Sequence, residues 1–180
     1  EGVIAGAADV TPGYRDPQAS GLRLGCGLAG LCPLPGRPGA LLVGTVCHPR
    51  AETLYFSTDY GDHFKPILRG LDTGEIDFSA VPYMRPRCNG NRSILHWMSD
   101  IAADPFDPDR VLVNSGTGVF ETRNLTDALA GRSVRFAPLC AGLEETVHLN
   151  VYSPPVGPVK LLDIVGDLGG FAFRELSKPC

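Results

Sequence analysis

Several things are scarce in this sequence, and each scarcity closes off a class of protein. Trp97 is the only tryptophan among 180 residues. No apolar run approaches the ~18 residues of a membrane-spanning helix, since stretches such as residues 40–46 are far shorter. No membrane association is therefore expected. Lysine and arginine number 16 against 20 acidic residues, for a net charge of -4 and a pI near 5.5, without any basic cluster. That argues against a nucleic-acid partner. No CxxC pair occurs and no histidine stands at finger spacing, so no zinc site or other metal is expected, and no cofactor. A sustained helical period is absent too, the one plausible helical turn being residues 125–130. The opening EGVIAGA has neither a basic start nor a long apolar run, and the chain reads as a processed form or a piece of a longer chain.

What is abundant is punctuation. Glycine (22) and proline (16) make up about a fifth of a chain that is 43% hydrophobic and 20% charged. With a mean hydropathy of +0.02 this is the profile of a globular domain rich in strands and turns. Residues 1–21 carry turn formers without a sustained period and read as a lead-in. Beyond them, short β-like runs recur at 40–46, 53–57, 63–67, 110–114, 118–122, 147–152, 159–165 and 171–174. The fold class is all-β. Six cysteines (26, 32, 47, 88, 140 and 180) form an even set without metal spacing, which favours disulfides and an oxidising compartment. Their connectivity stays open. Sequons at Asn91 and Asn124 agree with a secreted, extracellular glycoprotein.

One motif decides among all-β architectures. Residues 57–64, STDYGDHF, fit S/T-x-D-x-G-x-x-F/W, the Asp-box, placed between two predicted strands. Ser57 and Asp59 are expected to bond backbone groups of the turn, Gly61 to take the positive φ, and Phe64 to pack beneath. Degenerate relatives are read at residues 166–171 (GDLGGF) and 115–120 (SGTGVF). Strand–turn–strand units about 50 residues apart are the mark of β-propeller blades. At about 45 residues per blade, the chain holds an incomplete set of about three to four. Blade-like units are expected near residues 22–70, 92–140 and 141–178, so that residues 22–180 form a partial propeller.

Four stretches go further. They are GLAGL at 27–31 with its Pro/Gly turn and the Asp-box; WM at 97–98 through IAADPFDPDRV (101–111), SGTGVF and NLT; GLEETV (142–147) running on to VYSPP; and GDLGGF. From about residue 25 to 178 this ordered series resembles glycoside hydrolase family 74, the xyloglucanases and oligoxyloglucan reducing-end-specific cellobiohydrolases. The match is to the C-terminal blades of that family's first propeller. The resemblance implies a hydrolase of a β-1,4-glucan, xyloglucan, with the substrate between two seven-bladed propellers. It also implies inversion by two aspartates, which needs carboxyls ~6.5–9.5 Å apart with a water between them. Asp167 falls on the family's general acid. Read alone, its hexapeptide orders a Gly-rich turn; with the flanking match it takes the catalytic position. The partner base, on a first-blade turn of the family, has no counterpart here, and Asp59 belongs to a structural box. Trp97 and Tyr83 are the candidate cleft aromatics, whose ring faces stack on sugar C–H surfaces.

Other candidates rank lower. Glu144 and Glu145 are strand neighbours facing opposite ways, so only one of them can face the cleft, and Glu145 is the candidate. Asp104, Asp107 and Asp109 read as turn formers rather than a calcium cluster. His48, His63, His96 and His148 show no orienting carboxylate, Ser57 and Ser115 lie in no G-x-S-x-G elbow, and the adjacency of Cys47 and His48 carries no meaning. Two expectations result: a segment of an inverting xyloglucan hydrolase with Asp167 as its acid, or a non-catalytic secreted Asp-box module that binds carbohydrate or protein.

Overall fold

The computed structural model describes residues 27–46, 53–68, 75–84, 95, 97–143, 147–166 and 169–178, with Tyr83 described in its backbone alone. The lead-in 1–21 lies outside them. The described strands form three antiparallel meanders. The first runs β1 (Gly27–Pro33), β2 (Leu41–Val46), β3 (Leu54–Ser57) and β4 (Lys65–Leu68), each strand paired with the next. The second repeats that order with β5 (Ile101–Ala103), β6 (Arg110–Ser115), β7 (Gly118–Arg123) and β8 (Phe136–Pro138). The third has β9 (His148–Tyr152), β10 (Leu161–Val165) and β11 (Gly169–Phe173). Among the described residues, helix is confined to short 3-10 segments at Pro82–Met84 and Leu125–Ala130. The all-β expectation holds. Among the described residues, no helix is long and apolar enough to cross a membrane.

Register sorts the side chains of the first sheet into two buried faces. Leu42 stands opposite Phe56 and Leu54 opposite Leu68, and all four join the main core. Val43 and Tyr55, paired one step along, point the other way and meet Phe64 in a smaller cluster. The Tyr55 and Phe64 rings meet edge to face, 6.5 Å apart and 82° between planes. Continuous burial along Leu54–Ser57 is the pattern of a strand covered on both sides.

The second sheet alternates instead. Val111, Val113, Phe120, Thr122 and Phe136 are buried on one face. Its opposite face carries Arg110, Glu121 and Arg123. The buried face packs with the first sheet into one core, with β1 beside β5. The long connection between the sheets adds Phe78, Val81, Met84, Leu95 and Met98 to that core. It also covers a sheet edge: Ile76 bridges Phe136 in parallel, flanked by bonds from Phe136 N–H to Glu75 (2.8 Å) and Asp77 N–H to Phe136 (2.8 Å). In the third sheet only Asp163 and Val165 are buried among the described residues, and none of its residues joins the main core.

Three strands were not anticipated: β1, β5 and β8. A bulge between Ala29 and Leu31 interrupts β1, and the other two have only 3 residues each. Such strands are recruited by neighbours rather than by their own pattern.

Phe120 and Phe136, both essentially inaccessible to solvent, centre the core. Replacing either by alanine is expected to cost about 3–5 kcal/mol. Urea denaturation followed by circular dichroism measures the loss.

Candidate functional site

Meander topology separates two ends in each sheet. First-to-second and third-to-fourth connections share one end; second-to-third connections, and the approach to the first strand, share the other. The Asp-box joins β3 to β4 and so belongs to the first end. The Ser115–Gly118 turn joins β6 to β7, and residues 166–168 lie between β10 and β11. Both are second-to-third connections. The supposed relative at 115–120 is therefore not the structural equivalent of the Asp-box, which corrects that part of the repeat read from sequence; residues 167 and 168 of the other lie outside the described residues.

The box itself is built as expected. The Ser57 hydroxyl donates to Asp59 Oδ1 at 2.8 Å and accepts from the N–H groups of Asp59 (3.3 Å) and Gly61 (3.0 Å). Asp59 Oδ1 accepts from His63 N–H at 3.0 Å, and Oδ2 lies 2.7 Å from His63 Nδ1. Gly61 takes φ 95° over the Phe64 ring. These bonds, led by the His63 amide and followed by the His63 ring and the Ser57 hydroxyl, lower the Asp59 carboxyl from 3.8 to about 2. Its lone pairs are committed to the turn. Asp59 is a structural residue.

At the other end stands Trp97, 61% exposed, between Leu95 and Met98, which are wholly buried. Its φ is 56°, and only Tyr60 shares such a value among the described non-glycine residues. A left-handed residue other than glycine costs about 1–3 kcal/mol unless its surroundings impose it. Here two elements do so. Behind the segment lies Gly44 of β2, where a Cβ would come within 2.6 Å of the Met98 carbonyl oxygen. In front, Asn114 at the end of β6 accepts from Ser99 N–H (3.0 Å) and Asp100 N–H (2.6 Å). The seam between the sheets thus presents an indole to solvent from a braced loop. Sequence reasoning missed Asn114 and Gly44, for neither belongs to a motif.

Asp167 and Glu145, with Glu144, lie outside the described residues. On either side of Asp167, β10 ends at Val165, Gly166 N–H donates to the Val147 carbonyl at 2.8 Å, and β11 begins at Gly169. Tyr83 sits in the 3-10 turn between buried Val81 and Met84. Several other acidic residues are absorbed by structure. Asp104 accepts from Phe106 N–H (2.8 Å), Asp107 from Asp109 N–H (3.0 Å) and Asp109 from Thr126 N–H (2.8 Å). The Phe106 amide, then the Arg110 guanidinium, lower the Asp104 carboxyl. Burial pushes Glu121 up, but Arg110 and Arg123 outweigh it and the carboxyl falls.

Three expectations need correcting. His63 and His148 do have carboxylate partners, Asp59 and Asp163, the latter at 2.9 Å. Spacing hid the second pair, which β9–β10 pairing brings together across 15 positions. Cys32 and Cys140 are free thiols, so a disulfide framework does not include them; the other four cysteines lie outside the described residues. The Asn124 amide is already committed, donating to Asp127 Oδ2 (2.8 Å) and the Ser133 carbonyl (3.1 Å). Its oxygen accepts from Arg135 N–H at 2.9 Å, so a glycan there would compete with the fold; Asn91 lies outside the described residues.

Similarity to known proteins covers most of the chain. A xyloglucanase of Acetivibrio thermocellus, Xgh74A, is 37% identical over 139 residues, 69% of this chain and 16% of that protein. A Paenibacillus xyloglucanase is 27% identical over 173 residues, 85% and 16% respectively. The crystal structure of the family 74 xyloglucanase from Xanthomonas campestris aligns with a TM-score of 0.61 at 36% identity, covering 81% of this chain and 19% of that one. This chain is a partial match to glycoside hydrolase family 74. It spans about a sixth of the length of the curated relatives it matches. No protein-family profile matches the chain. The sheets of this family 74 segment accord with an incomplete propeller.

Two predictions follow from this geometry. The Asp59 carboxyl titrates lower in the fold than in the unfolded chain. Its contribution is therefore complete above about pH 4 and is lost as pH falls from 3.8 toward about 2. Asp59→Asn should flatten the pH dependence of the melting midpoint across that window. Gly44→Ala should cost about 1–3 kcal/mol by overpacking and shift the Trp97 emission maximum, because a methyl there collides with backbone.

Proposed function

We propose that this chain is a segment of a xyloglucan-active, inverting glycoside hydrolase of family 74, with Asp167 as general acid and Trp97 as a sugar platform. The similarity to proteins named xyloglucanases carries the reading, at 37% identity over 69% of the chain. The polysaccharide partner is xyloglucan or a related β-glucan, and a polymer of that size is met outside the cell, hence a secreted protein. The rest of a longer chain supplies the second propeller and the base.

Topology supports the assignment of Asp167. In sequence Asp167 falls between the paired strands β10, which ends at Val165, and β11, which begins at Gly169. An exposed indole on a braced loop suits stacking against pyranose C–H faces, a surface that asks for area and rigidity rather than charge. Tyr83 and Glu145 are secondary candidates for the same cleft.

The division of labour is that of inversion. Asp167, protonated, delivers its proton to the leaving glycosidic oxygen, while a carboxylate on the far side draws a proton from water as it attacks the anomeric carbon. Such an acid requires a raised pKa, which burial in the cleft would provide.

The test is reducing-end release from xyloglucan by the longer natural chain, with Asp167→Ala as the variant. The expected loss is ~10²–10⁴-fold in kcat. Aryl oligosaccharides with acidic leaving groups should lose much less, because their departing oxygen needs no proton. Equal loss on both substrates would remove the acid role. Oligosaccharide binding that survives Asp167→Ala in a chain without hydrolysis would favour the carbohydrate-binding module instead.

A further inference from the structure

We propose that Asn114 is a positioning residue for Trp97: its side chain clamps the loop 97–100 and holds the indole ready for a saccharide face. The proposal rests on the reading of Trp97 as a sugar contact, and deepens it.

The observation is a concentration of bonds on two residues. Asn114 Oδ1 accepts from Ser99 N–H at 3.0 Å and from Asp100 N–H at 2.6 Å. Nδ2 donates to Ser99 Oγ at 3.4 Å, and the Asn114 backbone N–H donates to the Asp100 carbonyl at 3.1 Å. The last bond continues the β5–β6 ladder beyond Ile101 and Val113. The side chain then extends that grip where the ladder has ended. A primary amide suits the place because one oxygen takes two donors while the nitrogen still donates.

Ser99 and Asp100 are exposed, so water would satisfy their N–H groups if the amide were absent. The clamp therefore contributes order more than stability. That order is needed because the left-handed backbone of Trp97, φ 56°, is not one the residue keeps on its own. The other left-handed non-glycine among the described residues, Tyr60, is held differently, through its N–H to the Gly39 carbonyl at 2.9 Å. On the far side, Met98 is pinned in the core against Gly44. Trp97 sits between a buried anchor and a hydrogen-bonded clamp. An unclamped indole would pay its ordering entropy when ligand binds; a clamped one has paid it on folding.

Trp97, the only tryptophan, reports its own freedom. In the 180-residue chain, Asn114→Ala should leave the melting midpoint nearly unchanged. It should increase the nanosecond local rotation of Trp97 in time-resolved anisotropy and weaken binding of a xyloglucan oligosaccharide roughly two- to tenfold. Asn114→Asp keeps an oxygen for both amides and should restore the slow rotation. Unchanged rotation in Asn114→Ala overturns the clamp, as does failure of Asn114→Asp to restore it. Should Asn114→Ala not fold, hydrogen exchange in the parent chain decides. Protected amides at the exposed Ser99 and Asp100 sustain the proposal, and exchange at unstructured rates overturns it. Trp97→Ala separates the two readings: unaltered oligosaccharide affinity removes the sugar contact, whereas the anisotropy result bears on the clamp alone.

Discussion

Burial on both faces of the first sheet is the constraint from which the remaining architecture follows. Leu42, Leu54 and Phe56 face one way, and Val43 and Tyr55 the other, so no single layer of solvent-facing structure would satisfy the sheet. Phe64 folds back from the Asp-box to cover the second face. The first face requires another sheet, and the second meander supplies it through Val111, Val113, Phe120 and Phe136. Hydrophobic burial of this kind is non-directional. What gives it one geometry is the close approach at Gly44, where the Met98 carbonyl oxygen lies on the backbone of β2. The seam carrying Trp97 is a consequence of that contact.

At the Asp-box end, carboxylates are consumed by their own turns: Asp59 by Ser57 and His63, Asp104 by Phe106 and Arg110, Asp109 by Thr126. The bonds at Asp59 and Asp104 lower those two carboxyls and hold them ionised. The opposite end carries the long connection between the first two sheets and the exposed Trp97. Asp100, near that end, accepts from the Ile101 N–H at 2.9 Å as well, so structural carboxylates are found toward both ends.

How much of this was legible beforehand depended on local signals. Strands 41–46, 110–115 and 118–123 announce themselves by alternation or by a β-branched run bounded by turn residues. The 3-10 turn at Leu125–Ala130 was legible too. The short β5 and β8, and the bulged β1, were not, because their pairing comes from neighbours rather than their own residues. The repeat at 115–120 misled because glycine followed by an aromatic serves many turns. Only strand order shows that this one joins β6 to β7 while the Asp-box joins β3 to β4. Of the candidate site, Trp97 was visible as a lone tryptophan. Its brace was not, since Asn114 stands 17 positions away in sequence and looks like any turn-entering asparagine.

The sequence by itself determined the all-β class, the internal chemistry of the Asp-box and the family resemblance. Each of these is written in residues that touch through short stretches of chain or recur in fixed order. Tertiary structure alone decided which acids are spent on folding, that His148 meets Asp163, that Cys32 and Cys140 remain thiols, and that Trp97 is presented from a clamped seam. Those outcomes depend on strand register and on the approach of one sheet to another. Both are set by the competition among many nonlocal contacts, which no local pattern in the chain encodes.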